Sequence, residues 1–417
     1  MIKYLVLVPI LLIPTYIFRF TIFSIPTNVF EFSVLFAGLT FLIVWLSNYL
    51  SGKAVKCNFG YLATYLLILA AVVSIYFSAD KSTALGILKG WFIVPVILYL
   101  LVINYYPRER TKDLSLVIFI SLIIVSIWAT LQKIGVISTL FYQVGDPGFA
   151  DYLSRFRAFG PFESPNYLAM FVVPSIFLSL PIFGYFKGAT NKLLLSTLYI
   201  FPLYALYASH SLGGLLAFGF ASIVYFAFQT AKIHRLKILN SSWKMTGLIF
   251  ALIVVAAIFA LTFSSIGSET YSRSMRIDIY RYAWDLVKSH PIFGIGLGQF
   301  QAAARAISLD NLGFQLYGLA YALHPHNLFL SYWLSLGILG LAAFIILIIN
   351  FFARLGRSKS DVALSAGLFA AMTAILIHGI IDTTYFKNDL SAIFWLIMAL
   401  SLLLETKKKR SKEIGTN

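Results

Sequence analysis

An all-α polytopic membrane protein of about 12 transmembrane helices, with a large outer loop between the ninth and tenth, follows from three features of this 417-residue sequence. Hydrophobic residues make up 60% of the chain and the mean hydropathy is +0.86, far above a soluble domain. Apolar runs of about 18 residues or more recur, each long enough to cross roughly 30 Å of hydrocarbon. The net charge of +16 is spread unevenly. With the N-terminus inside and loops assigned alternately, the inner side holds 20 Lys/Arg against 5 Asp/Glu, and the outer side 12 against 11. That is the positive-inside pattern, and it orients the chain. No loop gathers basic and aromatic residues on one soluble platform, which argues against nucleic acid as a partner.

The spans fall at 2–20, 29–50, 59–78, 84–104, 114–135, 166–185, 192–208, 212–230, 245–264, 326–352, 362–381 and 390–404. Residues 1–417 read as a single integral membrane domain. The first stretch follows Lys3 and lacks a small-residue cleavage site, so it reads as a retained helix and not a signal peptide. Inner loops carry the Lys53 to Lys56, Arg108 to Lys112, Lys187 to Lys192, Lys232 to Lys244 and Arg354 to Lys359 clusters. A basic tail at 405–417, with Lys407 to Arg410, closes the pattern inside as a topology anchor. Pro9, Pro14, Pro95, Pro174 and Pro202 lie within spans, where neighbouring helices can satisfy the carbonyls they free. The single cysteine, Cys57, excludes an intrachain disulfide. No internal repeat is evident, which weakens a transporter built of duplicated halves.

Two outer loops are long, 137–165 and 265–325, and long loops on a rigid scaffold are where binding and catalysis concentrate. The first ends with Arg155 and Arg157 before Gly160-Pro161 and Ser164-Pro165-Asn166. Ser164 is placed to cap the next helix and Pro165 to occupy its first turn. Two guanidinium groups beside a helix start make an anion site; anchorage at the lipid headgroups is the competing reading.

The second loop carries an amphipathic helix over 275–289, with Ile277, Tyr280, Trp284 and Val287 on one face and its axis along the membrane surface. Arg281 has Asp278 and Asp285 at helical pairing distance, whereas Arg276 has no such carboxylate and reads as a ligand-binding residue. Gly294, Gly296 and Gly298 follow His290-Pro291 and suit a tight turn or a close backbone approach; no strand precedes them, so they are not a dinucleotide fingerprint. His324-Pro325-His326-Asn327 marks re-entry into the membrane, and imidazole accepts a proton near neutral pH. Two histidines alone do not complete a usual zinc ligand set, so no metal is assigned. His378 and Asp382, spaced i,i+4 at the outer end of a span, read as each other's partners. His210 reads as structural.

Taken together, these segments resemble the O-antigen ligase and polymerase superfamily of bacterial envelope glycan assembly. The likeness covers most of the chain. It is strongest from Arg273 to Gly340, where R-x-D-I-x-R, HPIFGIGLGQF and HPHN…LGILG are similar to the family's large periplasmic loop. RAFGPFESPNYLA and HGIIDTTY are similar to its earlier and later outer motifs. Where family members often carry Ser-Arg-Gly, this chain has Ser211-Leu212-Gly213.

The resemblance implies a GT-C-like, metal-independent glycosyltransferase of the inner membrane, with cytoplasmic termini and its site on the periplasmic face. It needs no cofactor, and the charges lie in outer loops instead of along a central path as in a flippase. The donor would be a glycan on undecaprenyl pyrophosphate and the acceptor a glycan or lipid-glycan hydroxyl, both met at the lipid surface. By motif position His326, beside His324, is the base, and Arg276, Arg157, Arg281 and Arg155 hold the pyrophosphate. Asn166, Asn327, Gly296, His378 and Asp382 support them. The chemistry agrees: guanidinium forks stabilise a diphosphate leaving group, and direct attack by a hydroxyl deprotonated by His326 inverts the anomeric centre. Ligase and polymerase use the same site and differ in acceptor.

Overall fold

The computed structural model describes residues 2–53, 57–138, 156–235, 270–310, 322–357 and 361–405. The span expected at 245–264, Arg155 and the tail at 406–417 lie outside them. The protein is an all-α membrane protein. Among the described residues seven helices are long and apolar enough to cross a membrane.

Helices longer than five residues are numbered α1 Val29–Leu50, α2 Leu62–Phe77, α3 Lys81–Tyr105, α4 Thr111–Lys133, α5 Pro165–Ser179, α6 Ala189–Leu198, α7 Ile200–Ala208, α8 Leu212–Arg235, α9 Thr270–Ser289, α10 Phe300–Asp310, α11 Leu328–Arg357, α12 Val362–Gly379 and α13 Asn388–Glu405. The start of the chain departs from expectation. Residues 2–20 do not form one helix: 3-10 turns Ile2–Val6 and Ile13–Ile17 flank a short α-turn, Leu7–Leu11. Pro9 and Pro14 remove backbone donors within this stretch, and Pro14 opens the second 3-10 turn. A hairpin follows, β1 Arg19–Ile22 and β2 Ile25–Asn28, with Arg19 opposite Asn28. Asn28 then caps α1 by accepting from the Glu31 amide at 2.9 Å.

The core is built by helix pairs: α8 on α12, α11 on α2, α13 on α3, and α12 on α5. Small residues set the closest approaches. A Cβ at Gly367 of α12 would meet the Phe177 carbonyl oxygen of α5 at 2.5 Å, and one at Gly213 of α8 would meet the His378 ring at 2.6 Å.

The glycine-rich segment is stitched into a kink in α11. Gly337 has φ +70°, outside helical space, and its neighbour Ile338 donates to the Ile292 carbonyl at 3.0 Å. Ile295 donates to the Leu334 carbonyl at 2.7 Å, and Trp333 Nε1 to the Pro291 carbonyl at 2.8 Å. A Cβ at Gly337 would fall 2.0 Å from the Ile292 oxygen. Gly337→Ala should therefore lower stability by more than the about 1–2 kcal/mol that a left-handed backbone alone costs. Thermal unfolding of the purified protein, compared with Gly356→Ala, where a Cβ meets nothing within 4 Å, checks this.

The amphipathic helix packs on the protein through a defined line of residues. Ile279, Ala283 and Val287 of α9 are the buried line, packed with Leu334. Ile277 and Trp284 stay about half exposed, at 46% and 48%.

Candidate active site

One end of the bundle gathers most of the sequence motifs, because the motifs lie at helix ends that meet there. The first of these ends is assembled around Arg157. Ser164 caps α5, accepting from the Asn166 amide at 3.2 Å, with Pro165 in the first turn. Gln132 of α4 accepts from the Phe159 and Gly160 amides, each at 2.9 Å. Arg157 Nε donates to the Ser209 carbonyl at 2.8 Å and Nη2 to that of His210 at 3.2 Å. A guanidinium thus sits on the C-terminal carbonyls of α7, where the helix dipole favours a cation. Its Nη2 also donates to Asn166 Oδ1 at 3.0 Å.

From Asn166 the chain of bonds runs to a buried carboxylate. Asn166 Nδ2 donates to Asp382 Oδ2 at 2.9 Å. Asp382 Oδ1 accepts from the Thr383 amide at 2.8 Å and faces His326 Nδ1 at 3.1 Å. The Asp382 side chain is 3% exposed and that of His326 26%. Burial alone would raise the Asp382 carboxyl, but the His326 imidazole bonded to it, with His324 behind, holds it well below the usual carboxylate range. An ionised Asp382 makes Nδ1 the protonated nitrogen of His326, leaving the Nε2 lone pair free. Nε2 has no hydrogen-bond partner among the described residues. Such an imidazole can accept a proton from a hydroxyl. His326 itself has φ +48°, and Tyr280 of α9 donates to its carbonyl at 2.9 Å, fastening the turn.

His324 is a different kind of histidine. Its Nδ1 lies 3.2 Å from Thr383 Oγ1 and 3.4 Å from the His326 amide, and its Nε2 lies 3.1 Å from the Tyr167 hydroxyl. Burial pushes its pKa down to about 3, and the neighbouring His326 adds to the fall. At neutral pH it is an uncharged spacer. Since the unfolded chain takes up this proton near pH 6.5 and the folded chain does not, stability is lost as pH falls from about 6.5 towards 3. His324→Asn should flatten that acid slope of the melting temperature and keep much of the activity. An unchanged slope would disprove the assignment.

Two cavities adjoin this network, and Asn166 and Asp382 line both. The smaller, of about 50 Å³, is bordered by Arg157, Arg276, His210, Leu212 and His378. Arg276 has no hydrogen-bond or ion-pair partner among the described residues. Burial lowers the His210 pKa, with Lys133 and Arg157 acting in the same direction. The larger cavity, of about 740 Å³, has His324, His326, Gly296 and Lys387 in its lining. Gly296, at φ +95°, lets the loop pass against Ser78, whose backbone a Cβ would meet at 2.7 Å.

Other expected residues stand elsewhere. Arg281 is exposed, its guanidinium 3.6 Å from Asp278, and lines neither cavity. Asn327 caps α11 through the Phe329 and Leu330 amides, each at 3.0 Å, and donates to the Ile380 carbonyl at 2.8 Å. The Asp382 carboxylate bonds His326 and not the expected His378 ring, although the Asp382 amide still donates to the His378 carbonyl at 3.0 Å and both residues border the small cavity. Sequence reasoning missed Glu163, which bonds Arg19 at 3.0 Å and also pairs with Lys387. It missed Lys387 too, held 4.1 Å above the Tyr167 ring; an ionisable residue at a span end was the available signal.

His324, His326 and Asp382 each offer one ligand atom within 4.8 Å of the others, a spacing that a divalent cation accepts. Nδ1 of each histidine is engaged in the hydrogen bonds above, so ligation through those nitrogens would require breaking them.

Comparison with known proteins adds a family. Residues 197–345 match the sequence profile described as O-antigen ligase. A protein of Rickettsia prowazekii (strain Madrid E), described as a candidate polysaccharide ligase, is 27% identical over 213 residues, 50% of this chain and 51% of its own. One from Rickettsia conorii is 27% identical over 214 residues with the same coverage, and one from Rickettsia bellii 25% over 220. The chain spans about half the length of the curated relatives it matches, 51% of each of these.

Proposed function

We propose that the chain is a member of the O-antigen ligase superfamily, whose profile residues 197–345 match, and on that premise that it is a membrane glycosyltransferase moving a glycan from undecaprenyl pyrophosphate to an acceptor hydroxyl. The observation that carries this reading is the unengaged Arg276 guanidinium beside Arg157 in a polar niche, one carboxylate away from His326. The two arginines take the diphosphate, neutralising charge as the sugar–phosphate bond breaks, which leaves no role for a divalent metal. His326 Nε2 removes the acceptor proton, and Asp382 stabilises the imidazolium that results. Attack opposite the leaving diphosphate inverts the anomeric carbon. The periplasmic site and cytoplasmic termini follow from the charge count of the loops.

Ligase and polymerase differ only in the hydroxyl that attacks. The ligase reading is favoured by the names of the relatives. Gel analysis of envelope glycan in a deletion strain separates them. Loss of all glycan attachment is expected. Loss of the length ladder with one repeat still attached would make the protein a polymerase instead, and an unchanged pattern would remove the transferase reading altogether.

A further inference from the structure

The large cavity has a wall that the proton-transfer network does not use. Trp91 stands in a π-helical turn of α3, Leu88–Ile93, and such turns recur at functional sites because they re-aim a side chain. Pro95, four residues on, has no N–H to offer the Trp91 carbonyl. The Tyr385 hydroxyl donates to it instead, at 3.0 Å. Tyr385 is fully buried and is itself held by Trp395 Nε1 at 2.9 Å. The backbone of Trp91 is therefore pinned from the neighbouring segment, while its half-buried side chain lines the cavity. Phe386 meets the indole nearly perpendicular, at 87° and 6.1 Å. Trp91 Nε1 has no hydrogen-bond partner among the described residues.

The rest of that lining is mixed: Ile87, Ile295, Phe300 and Leu334 stand beside polar groups. Gln301 of α10 contributes an amide, and Glu163 and Lys387 form an ion pair at the cavity. A flat aromatic surface with a free N–H, set among amide and carboxylate groups, suits a pyranose ring, which has an apolar C–H face and a polar rim of hydroxyls. A lipid chain would leave the amide, carboxylate and imidazole groups of this wall without partners. A phosphate would call for an unpaired cation, and Lys387 is paired with Glu163.

We propose that Trp91 is the stacking platform for a sugar ring of the substrate and that the large cavity is the saccharide-binding part of the site. The inference rests on the transferase reading above and says where its carbohydrate lies. The ring belongs either to the acceptor or to the donor glycan, and kinetics distinguishes the two.

The test uses the full-length protein in nanodiscs. The probe is oligosaccharide released by mild acid from the source cells' own envelope glycan, with binding followed by saturation-transfer NMR. Trp91→Leu should weaken binding about tenfold, and Trp91→Phe should restore most of it, because a ring face is kept. In a membrane transfer assay, Trp91→Leu should raise the KM for the substrate that owns the ring, with kcat changed little. A rise for the acceptor assigns the ring to the acceptor; a rise for the donor assigns it to the donor. Should Trp91→Leu not fold, Gln301→Ala on the facing helix should weaken binding several-fold. Equal binding by the wild type and every folded variant would overturn the inference and leave the transferase reading standing. No binding by the wild type would overturn both.

Discussion

His326→Ala is expected to insert and fold normally yet lose glycan transfer by about 10²–10⁴-fold, the usual contribution of a positioned general base. The side chain's one described hydrogen bond is to Asp382, whereas the turn is held by main-chain and neighbouring contacts: Tyr280 to the His326 carbonyl, and Asn327 to α11 and Ile380. Removal should therefore leave the architecture intact. Undecaprenyl-linked precursor should accumulate in cells carrying the variant. The backbone at His326 has φ +48°, a conformation that asparagine tolerates better than alanine. His326→Asn thus controls for strain and should be as inactive. Normal transfer by either variant removes His326 as the base.

Asp382→Asn should be almost as damaging, costing on the order of 10²-fold or more, although it changes one atom. A carboxylate obliges Nδ1 of His326 to carry the proton; an amide can donate to Nδ1 and so put the proton on Nε2, the nitrogen that must be free. It also removes the negative charge that stabilises an imidazolium. Because the two residues act as one device, the double variant should be no slower than His326→Ala alone. Additive losses would show that Asp382 serves the fold and not His326. The same carboxylate joins His326 to Asn166 and Arg157, so a weakened diphosphate interaction should appear as a raised donor KM.

Seven described helices are long and apolar enough to cross a membrane, and these were legible because a helix crossing hydrocarbon must be apolar along its whole length, a composition that survives in the sequence whatever the packing. Helix starts were legible for the same local reason. Ser164-Pro165-Asn166 and His326-Asn327 announce N-termini, and the structure has helices beginning at Pro165 and Leu328. The close backbone approach expected of the glycines was also readable, since only glycine fits at Gly296, where a Cβ would meet the Ser78 backbone at 2.7 Å.

Pairing across the chain was not legible. The residues joined as His326 and Asp382 are 56 apart in sequence, and no periodicity encodes which of two carboxylate-histidine spacings will close. Local spacing favoured His378, whose carbonyl does take the Asp382 amide, but the carboxylate bonds His326. Arg281, by contrast, took a partner that helical spacing had offered, Asp278, whereas the packing of Ile279, Ala283 and Val287 of α9 with Leu334 joins segments far apart in sequence. Solvent preference is a property of each residue and its near neighbours, so one dimension suffices to record it. The distance between two side chains depends on every kink and turn between them, and that exists only once the chain has folded.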